Sequence, residues 1–187
     1  TKTTAATSEV FPDVAKDAVY VTSVETLNLM GIIKGYEDGT FGPLQNVTRA
    51  EFTAMLMRTL NYGSLGSSSA AALPFTDVDD NNSDINWAIP NINTAYDMGI
   101  INGYEDGTFR PNDNVAYEEA LKMIVCTLGY TDISVDSTPW YSLYLSQAKK
   151  LGITDVADRL GSAGTPASRA CIAQMLYDSL EAEIVEQ

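Results

Sequence analysis

Histidine is absent from the 187-residue chain, and only two cysteines occur, Cys126 and Cys171. Both lie in apolar stretches without the partner spacing of a metal site, which excludes zinc binding and histidine-based catalysis. Basic residues are also scarce, since 11 Lys and Arg stand against 25 Asp and Glu, for a net charge of −14. Such a surface repels nucleic acid and anionic membranes. We therefore expect no nucleic-acid partner, no metal and no cofactor.

Long apolar runs are missing as well. No stretch approaches the roughly 20 apolar residues that a membrane helix needs, so we expect no membrane insertion. Hydrophobic residues nevertheless make up 45% of the chain and charged residues 19%, which predicts a folded protein with one core. Residues 1–8 are small and polar, like the start of a mature secreted protein, and a boundary inside a longer chain would look the same.

The chain contains an internal repeat. Residues 35–41 read GYEDGTF, and the same seven letters return at residues 103–109. Gly31 is matched in the same way by Gly99, and each segment is preceded by a related opening, FPDV at 11–14 and FTDV at 75–78. A third, degraded copy follows, because Trp140 precedes Gly152 as Trp87 precedes Gly99. Repetition of this length indicates tandem modules.

Each copy is predicted to be helix, loop, helix. Apolar residues recur on one stripe, which predicts core positions for Met55, Met123 and Met175. The first helices should end at Gly31 and Gly99, because glycine adopts the left-handed conformation that stops a helix. Tight turns are expected at Asp38-Gly39 and Asp106-Gly107. The second helix of the first copy should begin at the capping box Thr48 to Glu51, with Asn46 as the rival cap.

These boundaries divide the chain into a first repeat at 1–62, a Gly/Ser/Ala-rich surface connector at 63–74, a second repeat at 75–129 and a third at 130–187. A helix pair of about 50 residues cannot close a core alone, so the three repeats should form one compact all-α domain with rough threefold pseudosymmetry. The alternative is a linear solenoid.

Taken together, the motifs resemble the surface-layer homology (SLH) repeat over nearly the whole chain. The resemblance implies a monomeric pseudotrimer shaped like a three-pronged spindle, whose inter-repeat grooves bind a secondary cell wall polymer. That polymer is an anionic, often pyruvylated polysaccharide linked to peptidoglycan. It further implies a noncatalytic, extracellular module that holds a secreted protein on the cell wall or in the S-layer.

By the same resemblance, the arginine of the TRAE motif meets the ligand's carboxylate, which points to Arg49 and Arg169. An arginine in the first turn of a helix also suits a carboxylate on physical grounds, because its fork lies beside free amides and the positive end of the helix dipole. The alternative is that Arg49 pairs with an acid of the next repeat. The second copy has Tyr117 in the arginine position, and the third has Cys171 where the capping Glu would be, so their grooves should differ.

Other candidates have two interpretations each. Trp87 and Trp140 could stack on a sugar ring or pack at the base of a groove. Asp13 and Asp77 could accept hydrogen bonds from sugar hydroxyls or cap helices. Gly39 and Gly107 could let the backbone approach a ligand or serve only the turn. Four basic residues could assist binding or be solvated charges: Lys34, Arg110, Lys149 and Lys150.

Two rival functions remain open. The acidic run 77–84 begins like a calcium loop, but Asn82 and Ala88 occupy the places of its glycine and bidentate Glu. A surface-lattice protein interaction module with degenerate glycan grooves is the other rival. Catalysis lacks a candidate, because Glu118 and Glu119 are adjacent on a helix and do not converge.

Overall fold

A computed structural model of the chain describes residues 7–62, 69–131 and 139–182. Its α-helices are α1 (Val21–Leu29), α2 (Arg49–Thr59), α3 (Ile89–Asp97), α4 (Tyr117–Thr127), α5 (Ser142–Lys150) and α6 (Arg169–Ser179). Short 3₁₀ helices span Ala70–Ala72, Asn86–Ala88 and Ala157–Arg159. Within these ranges β pairing is limited to isolated bridges, which confirms the all-α class. No helix in the described ranges is long and apolar enough to cross a membrane.

Glycine ends the first helix of each repeat, as predicted for Gly31 and Gly99. Gly31, Gly99 and Gly152 follow α1, α3 and α5 with φ of 74°, 70° and 76°. After α1, the amide of Gly31 donates to the carbonyl of Asn28 and that of Ile32 to Leu27, both at 2.9 Å. These bonds satisfy carbonyls that the end of the helix leaves unpaired.

The starts of the second helices differ among repeats. In α2 the full capping box forms, because the Glu51 amide donates to Thr48 Oγ1 at 3.2 Å and the Thr48 amide donates to Glu51 Oε2 at 2.8 Å. Thr48 rather than Asn46 is therefore the cap. The start of α4 keeps only the carboxylate half of the box, from Glu119. The start of α6 keeps only the hydroxyl half, from Ser168.

Helices pack mainly across repeat boundaries. The first helix of each repeat lies on the second helix of the preceding one, so that α3 packs on α2 and α5 on α4. The series closes because α1 packs on α6, where Ser23 Oγ donates to Gln174 Oε1 at 3.0 Å. Contact between the first and last helices contradicts the linear solenoid. The three-pronged spindle shape stays a prediction.

Three buried residues at equivalent positions, Val47, Val115 and Ala167, join the repeats through their backbones. The Val47 amide donates to the Ala167 carbonyl at 3.2 Å, Ala167 donates to Val115 at 2.9 Å, and Val115 donates to Val47 at 2.9 Å. We call this closed set of three hydrogen bonds the backbone ring. Because α2, α4 and α6 each begin two residues later, the ring fixes where the helices start relative to one another.

The core follows the predicted stripe. Met55, Met123 and Met175 are all buried. Each GYEDGTF loop is fastened to the core by a phenylalanine pair, since the rings of Phe75 and Phe109 lie 5.4 Å apart. The corresponding pair in the first repeat, Phe11 and Phe41, has the same separation.

Parts of the sequence-based description fall outside the described residues. They include residues 1–6, the first half of the connector at 63–68, and residues 132–138 of the third repeat. In the second half of the connector Ala70 is buried, and its amide donates to Asp80 Oδ1 at 2.8 Å. Ala70 is therefore packed against the second repeat, whereas Ser69, Ala71 and Pro74 are exposed, as expected for a surface connector.

Substitution of Gly103 by alanine should be far more damaging than the same change at Gly99. Both have positive φ, but a Cβ at Gly103 would lie 2.4 Å from Phe75 Cε1, whereas at Gly99 it meets nothing within 4 Å. We expect Gly103→Ala to lower the free energy of unfolding by about 3 kcal/mol and Gly99→Ala by about 1 kcal/mol. Urea denaturation measures both, and equal losses would contradict the packing of Phe75 against Gly103.

Candidate functional site

A cavity of about 630 Å³ lies where the three repeats meet beside α4. The first repeat contributes Arg49, the second its GYEDGTF loop and one face of α4, and the third Trp140. We call it the Arg49 groove. Its lining consists of Arg49, Ile100, Ile101, Asn102, Gly103, Tyr104, Glu105, Asp106, Arg110, Ala116, Glu118, Glu119, Lys122, Met123 and Trp140.

Arg49 is the first residue of α2, and its backbone amide donates to the Asp113 carbonyl of the second repeat at 2.9 Å. Its side chain is only 7% exposed. Nε donates to the Phe109 carbonyl at 2.8 Å, and Nη1 lies 3.1 Å from Glu119 Oε2. The guanidinium also stacks 4.7 Å from the centre of the Tyr104 ring. Arg49 thus pairs with an acid of the next repeat, as the structural alternative predicted.

Glu119 connects three groups at the base of the groove. Its carboxylate accepts the Ala116 amide at 3.0 Å, the Tyr104 hydroxyl, and the ion pair from Arg49. Burial, and then the hydrogen bond to Glu119, raise the pKa of Tyr104 to about 12. At neutral pH Tyr104 is therefore a neutral hydrogen-bond donor.

Another part of the lining is aromatic. Trp140 is 44% exposed and stands nearly at right angles to Tyr141, with ring centres 5.6 Å apart. Lys122, on α4, places Nζ 5.7 Å from the Trp140 ring centre and 5.8 Å from that of Tyr144. The groove therefore offers a flat apolar surface with a cation beside it, an arrangement suited to a sugar that carries an acidic group.

The rim of the groove is formed by the turn of the second repeat. Asp106 accepts the Thr108 amide at 3.0 Å and pairs with Arg110 Nη2 at 2.9 Å. The hydrogen bonds from Thr108 and Arg110 lower the pKa of Asp106 to about 2. The Arg110 guanidinium lies 4.0 Å from the centre of the Tyr104 ring. The charges of Asp106 and Arg110 at the rim therefore neutralise each other.

Arg169 occupies the equivalent position on α6 and contacts the first repeat. Nε donates to the Phe41 carbonyl and Nη2 to the Lys34 carbonyl, both at 2.7 Å, and the guanidinium lies 4.7 Å from the Tyr36 ring centre. Unlike Arg49, it has no carboxylate within 4.0 Å among the residues that the structure describes. The side chain is buried, and its contacts to described residues hold the loop of the first repeat in place.

Tyr117 fills the third equivalent position. Its side chain is buried, and its hydroxyl donates to Asp158 Oδ1. A Cβ on Gly161 would lie 2.9 Å from Tyr117 Cδ2 and 3.3 Å from Cys171 Sγ, so the ring packs directly on backbone. Burial and the Asp158 hydrogen bond raise the pKa of Tyr117 well above its ordinary value. The tyrosine thus occupies the volume that the arginines use elsewhere.

Asp13 and Asp77 do not cap helices, and that prediction is wrong. The residues at the helix starts are Tyr20 and Ala88. Asp13 instead accepts the Phe41 and Gly42 amides at 2.8 and 2.7 Å. Asp77 accepts those of Phe109 and Arg110 at the same distances. These long-range hydrogen bonds hold each loop in place. A capping rule considers only neighbouring residues and therefore does not predict them.

Gly39 and Gly107 form the predicted turns, with φ of 81° and 78°. Neither lines the Arg49 groove, and the same holds for Trp87, which lies on the 3₁₀ helix beside α2 and donates from Nε1 to the Asp84 carbonyl at 2.9 Å. Of the predicted binding residues, the groove brings together Arg49, Trp140 and Arg110. A role for the others in ligand binding stays a prediction.

In the acidic run 77–84, the carboxylates of Asp77, Asp79 and Asp80 accept backbone amides. Asp79 accepts the Asn81 amide and Asp80 the Ala70 amide, at 2.9 and 2.8 Å. Among the described residues no group of three or more acidic or thiol side chains could hold a metal ion. Cys126 and Cys171 are free and buried, and burial raises the pKa of the Cys171 thiol to about 12.

Sequence reasoning missed Lys122 and the pairing role of Glu119. The signal for Lys122 was present in the repeat register, because the sixth residue of the second helix is Ala54 in the first repeat, Lys122 in the second and Gln174 in the third. No sequence pattern identified Glu119 as the partner of Arg49, because that pairing depends on which loop Arg49 reaches in the folded protein.

Comparison with known proteins identifies the family of this chain. The sequence profile of the S-layer homology domain matches residues 10–53 and 74–121. The chain belongs to the S-layer homology family, as its GYEDGTF and TRAE motifs predicted. The third repeat, outside those two segments, is represented by α5 and α6, which continue the same packing.

Three relatives illustrate the proteins in which such a chain occurs. A cell surface protein of Thermoanaerobacter kivui is 35% identical over 76% of this chain and 18% of its own length. A middle cell wall protein of Brevibacillus brevis is 30% identical over 91% of the chain and 15% of its length. An endoglucanase of a Bacillus species is 34% identical over 65% of the chain and 12% of its length. The chain thus spans less than a fifth of each relative.

Removal of the Glu119 carboxylate should be much more costly than removal of Glu51 from the same position of α2. Both accept the amide of the cap residue, but Glu119 also neutralises the buried Arg49. We expect Glu119→Ala to lower the free energy of unfolding by about 3 kcal/mol and Glu51→Ala by about 1 kcal/mol. Urea denaturation of both variants measures the two losses. Equal losses would show that the Arg49–Glu119 pair does not contribute to the free energy of unfolding.

Proposed function

We propose that the chain is a noncatalytic module that holds a secreted protein on the bacterial cell wall by binding an anionic wall polysaccharide in the Arg49 groove. The observation that carries this proposal is the groove itself, in which a buried arginine, an exposed tryptophan and a half-buried lysine converge from three repeats. The polymer is a peptidoglycan-linked secondary cell wall polymer, with a pyruvylated sugar as the acidic unit.

The lining of the groove suits both the apolar and the polar groups of such a sugar. The Trp140 ring presents a flat apolar surface to the C–H face of a pyranose. Polar groups of the lining, including the neutral hydroxyl of Tyr104, provide hydrogen-bond partners for ring hydroxyls. Arg49, Lys122 and Arg110 supply positive charge within a chain whose net charge is −14, so the attraction is local.

The three grooves are unequal in this proposal. The Arg49 groove is the principal site, and the site around Arg169 is a weaker one in which the first repeat's loop is held by the same kind of arginine contacts. The Tyr117 position is closed by its own side chain and binds no sugar. The module acts as a monomer. Its parts are the first repeat at 1–62, the connector at 63–74, the second repeat at 75–129 and the third repeat at 130–187.

A noncatalytic role fits the chemistry of the groove. Three of its four acidic side chains are engaged in structural bonds, because Glu119 pairs with Arg49, Asp106 pairs with Arg110, and Glu118 accepts the Gly164 amide at 2.8 Å. Neither buried cysteine lines it. The enzymes among the relatives carry this module on less than a fifth of their length, which suits attachment of an activity housed elsewhere.

A surface-lattice contact is the second candidate, because two leucines are almost fully exposed. Leu29 is 89% and Leu44 85% accessible to solvent, and Met30, next to Leu29, is 55% accessible. Exposed apolar side chains of this kind suit contact with neighbouring protein molecules. Sedimentation with protein-free walls separates the candidates, because lattice contacts require other protein molecules and glycan binding does not.

Replacement of Trp140 by valine, the residue that the first repeat has at this position, should weaken retention on protein-free cell walls about tenfold. The loss follows from removal of the stacking surface without removal of any charge. Tyr62→Val is the matched control, since Tyr62 is an exposed aromatic that does not line the groove, and it should sediment like the unchanged protein. Equal retention of both variants would contradict sugar binding in the Arg49 groove.

A further inference from the structure

The cations of the Arg49 groove differ in what they contact. Arg49 is engaged by Glu119 and by the Phe109 carbonyl, and Arg110 by Asp106. Lys122 is different, because among residues 7–62, 69–131 and 139–182 no carboxylate lies within 4.0 Å of its Nζ. Its contacts there are the faces of Trp140 and Tyr144. Lys122 therefore has hydrogen-bond donors to offer to a ligand.

The position of Lys122 also distinguishes this groove from the other two. The equivalent residue of α2 is Ala54, which is 1% exposed, and that of α6 is Gln174, whose amide is engaged by Ser23 and Asp178. A half-buried lysine at this point is thus specific to the second repeat. Its ammonium lies beside the tryptophan on which a sugar ring would stack.

We propose that Lys122 is the specificity-determining residue of the groove. Its ammonium donates to the carboxylate of the bound sugar while Trp140 holds the ring, and Arg49 mainly positions the loop and α4. This inference rests on the proposed function, and it predicts that recognition of the acidic group is confined to the Arg49 groove. The carboxylate pairs with an ammonium that has no carboxylate partner among the described residues, so binding is favoured over that of a neutral sugar.

The test compares two forms of one polymer. Wall polysaccharide released from the source bacterium with hydrofluoric acid, which removes phosphodiesters, supplies the carboxylated probe, and its carbodiimide-amidated form supplies a neutral probe of the same length. Titration calorimetry of the whole chain gives Kd for each. We expect the unchanged protein to bind the carboxylated polymer about tenfold more tightly than the amidated one.

Lys122→Gln should lose this preference and bind both polymers with the affinity of the unchanged protein for the amidated one. Lys122→Arg should keep most of the preference, because it keeps a cation beside Trp140. Lys150→Gln removes an exposed charge from α5, outside the groove, and should change neither Kd. Thermal melts check that each variant is folded, and unaltered affinity for the amidated polymer shows that the groove is intact.

The outcomes separate the two proposals. A tenfold preference that survives in Lys122→Gln, or equal binding of both polymers by the unchanged protein, would overturn the role of Lys122 and leave sugar binding in place. Failure of the unchanged protein to bind either polymer would overturn the proposed function itself.

Discussion

The backbone ring is the constraint on which the rest of the structure depends. Val47, Val115 and Ala167 come from three parts of the chain and exchange amide and carbonyl groups in a closed cycle. Because all three are buried, a break in the cycle would leave polar groups without water or a partner. The ring therefore fixes the starts of three helices at once, and the helices in turn pack across repeat boundaries rather than within a repeat.

The groove is a direct consequence of that geometry. The first residue of the second helix, two positions after the ring residue, is directed into a neighbouring repeat. Arg49 reaches the Phe109 carbonyl in this way, and Arg169 reaches the Phe41 carbonyl. The same position can hold a loop in place or, as Tyr117 does, fill the space. The side chain at this position therefore differs among the three junctions, although the repeats share one fold.

Much of the fold could be predicted because its signals are local. The glycine at Gly31 and the box from Thr48 to Glu51 act within a few residues, so the sequence specifies both without knowledge of tertiary structure. Asp77 was misassigned as a helix cap because its partners, the amides of the GYEDGTF loop, lie more than 30 residues away. The pairing of Arg49 with Glu119 was foreseen only as a type of contact, since it depends on how repeats pack.

The most direct test of the account is a crystal structure of the chain with an acidic oligosaccharide from the cell wall. We expect one sugar ring against Trp140, with its carboxylate within hydrogen-bond distance of Lys122 Nζ and the Arg49–Glu119 pair intact. The Tyr117 position should remain closed by its bond to Asp158. An oligosaccharide bound at the Tyr117 position, or only outside the Arg49 groove, would contradict a single principal site assembled from three repeats.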